Sequence, residues 1–429
     1  MPMRIALCKS NFYGPISGAD ETIVTYASRL HQAGHDVTVL LLFQPSRSDI
    51  FYRRLRSMGV PIVTIAKQSR LHNTLRRARL MIRGLRQTIH PQSARMPTSM
   101  DLMVKRRRHG RRSLSRAGAR LLALQHLARC RQHFKKAGYS IAHVVTPDSG
   151  AEVLIRAAAD SGTPVLYQEL GTPYHMPELD GTYQRLARVT PRCARLAALS
   201  PTLARQWSKH LPHPADIMVQ PLIVERPRAW AIPRRPDAQG PILGFAARLE
   251  AGKGPQVLVE AFAEMVRGGR TGLLRMAGSG ALAASLKLQS RELGLNEQCE
   301  FTGAYDSRDG CSAFLSTLDI FVLPSFAEGT PNSVIEAMAC GLPMIASDVG
   351  GVRDIVTPDV GLLVPAGNVS ALAAAIGKLV DDPELRRRMG AAGRQRYETM
   401  YSPEAGLSGL LATYAAVHAS ARPSDARHD

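Results

Sequence analysis

The chain has 429 residues, 45% of them hydrophobic, which excludes a disordered or collagen-like polymer and sets two domains of about 200 residues as the expectation. The formal net charge is +20, but residues 67–136 hold 20 Lys or Arg against a single acid, Asp101, so nearly the whole excess sits in one segment. The basic character therefore describes one surface, not the fold.

The opening MPMRIALCKSN turns polar at Lys9, Ser10 and Asn11. That apolar run is too short for a signal-peptide core and reads as a first buried strand. No later stretch approaches the roughly 18 apolar residues needed to span a bilayer, so a soluble, cytoplasmic chain is expected. The six cysteines (Cys8, Cys130, Cys193, Cys299, Cys311 and Cys340) are scattered without a CxxC pair and are expected to be reduced thiols, not a metal cluster.

After the turn GPISGADE a helix is expected to run to Gly34, with Ile23, Ala27 and Leu30 on one face and Ser17, Asp20 and Glu21 as start signals. Strand-like VTVLLLF and PIVTIA follow. Within the basic window, Leu71, Leu75, Ala78, Ile82, Leu85 and Ile89 fall in about 80° of helical arc. Arg76, Arg77, Arg79 and Arg83 lie outside that stripe and Arg86 at its flank. Residues 91–120, with KRRRHGRR, look looser.

Strands resume at IAHVV, PVLYQE, RLAALS and DIMVQ, separated by helical patterns. Pro221, Pro227, Pro233, Pro236 and Pro241 mark an extended linker. The rhythm restarts with ILGFAAR, LLRMAGS, CEFTGA, DIFVLPS, MIASDV and GLLVPAG. Short β-rich runs alternating with helices indicate α/β domains built on parallel sheets. The expected division is an N-terminal Rossmann-like domain over 1–222 with a basic insertion at 67–136, a linker over 223–240 and a second Rossmann-like domain over 241–400. A helix over 401–420, carrying Leu407, Leu410, Leu411, Tyr414 and Val417, is expected to pack back on the N-terminal domain, ahead of a disordered tail at 421–429.

The sharpest constellation is EGTPNSVIEAMACGLP, residues 328–343. It follows the strand DIFVLPS, so Glu328 falls just past a strand's carboxyl end, where open parallel sheets bind ligands. Thr330 is expected to cap a helix with Pro331 at its first position, turning the helix N-terminus toward the crevice as a phosphate site. Glu336, nearly two turns in, is placed to accept hydrogen bonds from a diol such as ribose. On the two carboxylates alone, a pair of exposed acids beside an ordinary helix is the better reading.

The frame around them resembles the retaining family 4 glycosyltransferases of the GT-B fold, two facing Rossmann-like domains with a cleft between. The resemblance is specific from about residue 242 to 402, through GFAARLEAGKGPQVLVEAF, AGSG, FTGAYDSRD, DIFVLPSFAEGTPNSVIEAMACGLPMIASDVGGVRDIV and GLLVPAGN. It is weaker at GPISGADETIVTYASRL. The resemblance implies that Glu336 binds the ribose and that Glu328 binds the transferred sugar with the backbone of Gly329, Thr330, Pro331 and Asn332. It also implies that Arg248 and Lys253 hold the diphosphate as it gains charge. Gly18, Gly278 and Gly303 correspond to the family's glycine loops near the nucleotide. The chain departs from the family at Pro331, which lacks an N–H, and in the N-terminal half, where His143, Glu169 and His175 are the candidates for a group near the acceptor. No D-x-D triplet is present, which disfavours the metal-clamping transferases of the other major fold, and no cofactor or metal is expected.

The resemblance thus implies an enzyme moving a sugar with retention, by front-face attack, from a nucleoside-diphosphate sugar (UDP by default) to a lipid-linked or cell-envelope polysaccharide acceptor. The amphipathic basic helix suits an anionic membrane surface as partner, which would place the enzyme at the inner face of the cell membrane, and equally suits a core-packing helix with a solvated face followed by a disordered insertion. The alternatives are an epimerase, phosphorylase or other GT-B enzyme with a soluble acceptor. Nucleic-acid binding through KRRRHGRR is not expected, because the window lacks interleaved aromatics.

Overall fold

The computed structural model describes residues 2–12, 18–66, 122–145, 147–148, 150–171, 180–213, 215–225, 240–305 and 308–421. Most of the basic window, including the stripe from Leu71 to Ile89, lies outside the described residues, as do most of the linker and the tail beyond 421.

Two parallel sheets organise the chain. The first has seven strands: β1 (Arg4–Lys9), β2 (Asp36–Phe43), β3 (Ile62–Ala66), β4 (Ile141–Val145), β5 (Val165–Glu169), β6 (Arg195–Ala198) and β7 (Ile217–Val219). Their order is β3-β2-β1-β4-β5-β6-β7. The second has six: β8 (Ile242–Ala246), β9 (Leu273–Ala277), β10 (Cys299–Gly303), β11 (Ile320–Leu323), β12 (Met344–Ser347) and β13 (Gly361–Val364), in the order β10-β9-β8-β11-β12-β13. Each sheet reverses its winding beside its first strand, between β1 and β4 and between β8 and β11. Open α/β sheets form a crevice at such points. β1, β4, β5 and β8 are buried along nearly their whole length, which is why they read as apolar runs without alternation.

Helix starts follow local chemistry. Asp49 accepts from the N–H groups of Phe51 and Tyr52 at 2.9 and 3.1 Å, Asn368 from Ala371 at 2.9 Å and Asp382 from Leu385 at 2.8 Å. Ser200 and Pro201 open the helix Pro201–Ser208 in the same way.

The outgoing and returning chain lie side by side. Val224 donates its N–H to the Tyr401 carbonyl at 2.9 Å, and the Tyr397 hydroxyl donates to the Val224 carbonyl at 3.0 Å. The last helix, Pro403–Ala421, then runs over the first domain, where Leu410, Tyr414 and Val417 are fully buried among Ile5, Tyr26 and Ile141. Near the cleft the second domain caps a helix of the first. The Asp354 carboxylate accepts from Thr202 N and Oγ1 at 2.8 and 2.9 Å.

Candidate active site

Glu328 lies five residues beyond the carboxyl end of β11 and is 9% exposed. Its Oε1 accepts two bonds, from Lys253 Nζ at 2.7 Å and from Ser325 Oγ at 2.7 Å. Lys253 ends a short 3-10 turn, Ala251–Lys253, that follows β8. Two loops separated by 75 residues in sequence thus converge on one oxygen at the carboxyl edge of the second sheet. Ser325 falls at the end of the run DIFVLPS, where the sequence gives it no sign of a role beyond the strand. Its hydroxyl is fully covered and orients the carboxylate together with Lys253.

Arg248 does not join this pair. Its side chain is half exposed and its ion pair is with Glu250, at 2.8 Å. The loop carrying it is shaped by the glycines of the next one. Gly278 has φ 148°, and a Cβ there would overlap the Ala247 carbonyl oxygen. That close approach lets Ala247 N reach the Ala277 carbonyl at 3.2 Å and Leu249 N the Ser279 carbonyl at 2.9 Å. Gly303, at the end of β10, accepts from Gly278 N at 2.8 Å. These two glycines brace the Arg248 loop from below.

The helix after Glu328 starts one residue later than expected. It spans Asn332–Ala339, with Pro331 in extended conformation as the residue before it and no side-chain cap. Thr330 therefore does not cap. Proline's fixed φ suits the extended entry as well as the first helical turn, and the chain takes the former. The Thr330 hydroxyl is buried with no hydrogen-bond partner among the described residues. Glu336 is the fifth residue of this helix, just over one turn in and less deep than the nearly two turns expected.

Gly329 packs against the first domain. A Cβ there would lie 3.1 Å from the Leu170 carbonyl oxygen, and its own carbonyl accepts from Gly351 N at 2.9 Å. Gly18 opens the helix Gly18–Gln32 and faces Asn332 across the domain boundary. A narrow cleft lies between that helix, at Glu21 and Thr25, and Cys311, Asn332, Glu336 and Cys340 of the second domain. Glu336 and Asn332 thus line an interdomain space, while Glu328 and Lys253 are not among its lining residues.

The first-domain candidates divide. His143, in the middle of β4, is fully buried and makes two bonds of 3.0 Å, from Nδ1 to the Tyr414 hydroxyl and from Nε2 to Gln168 Oε1. The Gln168 amide nitrogen donates to the Gln220 carbonyl at 2.9 Å, so its oxygen is the end that faces His143. Nε2 is then the protonated nitrogen, and Nδ1 accepts from Tyr414. Burial pushes the His143 pKa down to about 3, so the ring stays neutral. With both nitrogens satisfied, it is a structural member of the core and has no position left for an acceptor. Glu169, at the carboxyl end of β5, is also buried. Its Oε1 accepts from Gly171 N at 2.9 Å and its Oε2 from the Tyr167 hydroxyl at 3.0 Å. Burial raises its pKa to about 7, against the opposing pull of those bonds. His175 lies outside the described residues.

Two further residues meet in a way their local sequence does not signal. Lys9, the last residue of β1, and Asp20, in the first turn of the helix Gly18–Gln32, form a fully buried ion pair. It ties the helix that carries Gly18 to β1, an interior strand of the sheet. A lysine and an acid flanking a glycine-rich turn give no sequence sign that they meet.

Residues 230–396 match the family described as glycosyl transferases group 1. Within the chain, 151 residues are 35% identical to the 2-deoxystreptamine glucosyltransferase of Streptomyces kanamyceticus, covering 34% of this chain and 38% of that one. A stretch of 171 residues is 32% identical to a GDP-mannose-dependent monoacylated α-(1-6)-phosphatidylinositol monomannoside mannosyltransferase of Corynebacterium glutamicum, covering 38% and 44%. The chain thus spans less than half the length of these two relatives. Over nearly the whole chain the fold is that of the Anabaena HepE protein, solved in complex with UDP: TM-score 0.69 at 15% identity, covering 96% of this chain and 100% of that one.

Proposed function

We propose that the chain is a retaining, metal-independent glycosyltransferase that moves a sugar from a nucleoside-diphosphate donor, UDP by default, to an acceptor hydroxyl. The observation that carries this is the convergence of Lys253 on Glu328 at the carboxyl edge of the second sheet, in the loop that leads into the helix carrying Glu336 to the cleft. Glu328 accepts hydrogen bonds from the hydroxyls of the transferred sugar. Lys253, with Arg248 swung in from its exposed position, holds the diphosphate as the bond from the anomeric carbon to phosphate oxygen breaks. The acceptor oxygen bonds to that carbon from the same face, and its proton passes to the departing phosphate oxygen. No protein base is required, in keeping with His143 being sealed in the core. The unpartnered Thr330 hydroxyl supports a donor contact in the same loop.

The acceptor we favour is a lipid-linked or envelope polysaccharide at the inner face of the cell membrane. The relative from C. glutamicum, named for a phosphatidylinositol-based acceptor, supports this class. So does the helix over residues 122–137, which buries Leu127 and Phe134 but leaves Leu122 and Leu124 46% and 60% exposed beside exposed Arg129, Arg131, Lys135 and Lys136. A soluble acceptor is the second reading, favoured by the likeness to a transferase named for 2-deoxystreptamine.

The test is release of nucleoside diphosphate from a panel of UDP- and GDP-sugars in EDTA. At least one donor should be hydrolysed or transferred at the same rate with and without the chelator. Turnover that needs manganese or magnesium would overturn the metal-independent assignment, and no turnover of any donor would overturn the transferase.

A further inference from the structure

Glu336 is held from behind by a thiol. Cys311, on the helix Arg308–Leu315, donates its S–H to Glu336 Oε2 at 3.5 Å. The phenol of Tyr305, just past the end of β10, lies close to the same sulfur and favours its thiolate, whereas Glu336 favours the thiol. The thiol hydrogen goes to the carboxylate.

Burial pushes the Cys311 thiol well above its ordinary range, and the Glu336 charge pushes it further. On the other side, burial raises Cys340 to about 12, again with Glu336 adding to the shift. Both thiols stay protonated at neutral pH, so Cys311 keeps a hydrogen to donate under any working condition. A glutamate on a helix wall otherwise has rotamers to lose when a ligand docks, and fixing one oxygen beforehand removes part of that cost. Cys311 and Glu336 both line the interdomain cavity, so the constraint acts where a ligand would meet the carboxylate.

We infer that Cys311, supported by Tyr305, is a positioning residue that fixes the Glu336 carboxylate for the ribose diol of a nucleoside diphosphate. The inference rests on the reading of Glu336 as the ribose-binding residue. A cysteine that merely filled space would affect stability without regard to the ribose hydroxyls, and that difference makes the idea testable.

The experiment is calorimetric titration of the full chain with UDP and with 2′,3′-dideoxy-UDP, GDP and its dideoxy form replacing them if GDP binds the wild type more tightly. Cys311→Ala should weaken binding of the ribonucleotide by about fivefold, the scale of one typical intramolecular hydrogen bond, as suits a weak thiol donor, and leave dideoxy binding within twofold. Cys311→Ser should restore most of the loss, and Tyr305→Phe should give a smaller loss of the same kind. Glu336→Ala should lose more for the ribonucleotide and nothing for the dideoxy form. If Glu336→Ala keeps the full preference for ribose, the ribose reading and this inference fall together. If Glu336→Ala loses it while Cys311→Ala keeps it, or weakens both nucleotides equally, this inference alone is overturned.

Discussion

A Cβ on Gly18 would come within 3.4 Å of Asn332 Nδ2, so the two domains meet there with room for a methyl group and little more. The clearance sets a graded steric test. Gly18→Ala reaches ordinary van der Waals contact and should leave donor binding within about twofold, because nothing must move. Gly18→Leu has to displace Asn332 or push the domains apart, and should weaken nucleotide binding by at least about tenfold. Titration calorimetry on both variants checks the series. Equal binding by the two would mean that the domains do not approach each other at this point in solution.

Lys253 and Arg248 carry the charge argument. Lys253→Ala and Arg248→Ala should each lower kcat/KM by about a hundredfold, mainly through kcat, since a diphosphate is most negative as it leaves. Lys253→Ala also deprives Glu328 of its cation. Glu328→Gln keeps the shape and the Ser325 contact, and should reduce turnover without lowering the melting temperature by more than a few degrees. Steady-state kinetics with the best donor decide, and a wild-type kcat for Lys253→Ala would remove it from the diphosphate site.

Glu169 predicts a pH dependence of stability. Its folded pKa, about 7, lies above the ordinary value of 4.5 that applies in the unfolded chain. Between those values the folded state binds the extra proton, so this group's contribution is fully present below about 4.5 and is lost as pH rises through about 7. Glu169→Gln, which keeps a neutral amide in the same place, removes that loss. Relative to wild type, the variant should therefore gain in melting temperature from pH 5 to pH 8. A difference independent of pH would show that Glu169 is charged in the folded protein throughout that range.

The basic segment gives a binding prediction. Wild-type protein should sediment with vesicles containing anionic lipid at low salt and be released as salt rises, because screening shortens the reach of the charges. Changing Arg76, Arg79, Arg83 and Arg86 to Glu should release it, as should Leu122→Ser with Leu124→Ser, while donor hydrolysis in solution continues. Wild-type protein that stays in the supernatant with anionic vesicles at low salt would sink the membrane reading.

The strands were legible because burial on both faces leaves a run of apolar residues in the sequence. Each described strand falls within a run read as one or oversteps it by a single residue, from the opening apolar run to GLLVPAG. The acidic pair of the second domain was legible through its spacing and setting. What escaped was the partnering of side chains across long stretches of chain. His143 meets Tyr414 across 271 residues, and Lys253 meets Glu328 across 75. No local pattern encodes either. The helix start at Asn332 was misplaced by one residue because threonine and proline suit two adjacent cap positions equally, and the extended backbone at Pro331 decided between them.

The return of the chain's last helix to the first domain also orders events during synthesis. Val24, Ile141 and Leu166 share a buried cluster with Leu410, Tyr414 and Val417, and β4 keeps His143 satisfied only once Tyr414 has arrived. A ribosome making this protein exports nearly all of the second domain before the first can close its core. Until then the nascent first domain carries an apolar trough and a histidine with one nitrogen unmet.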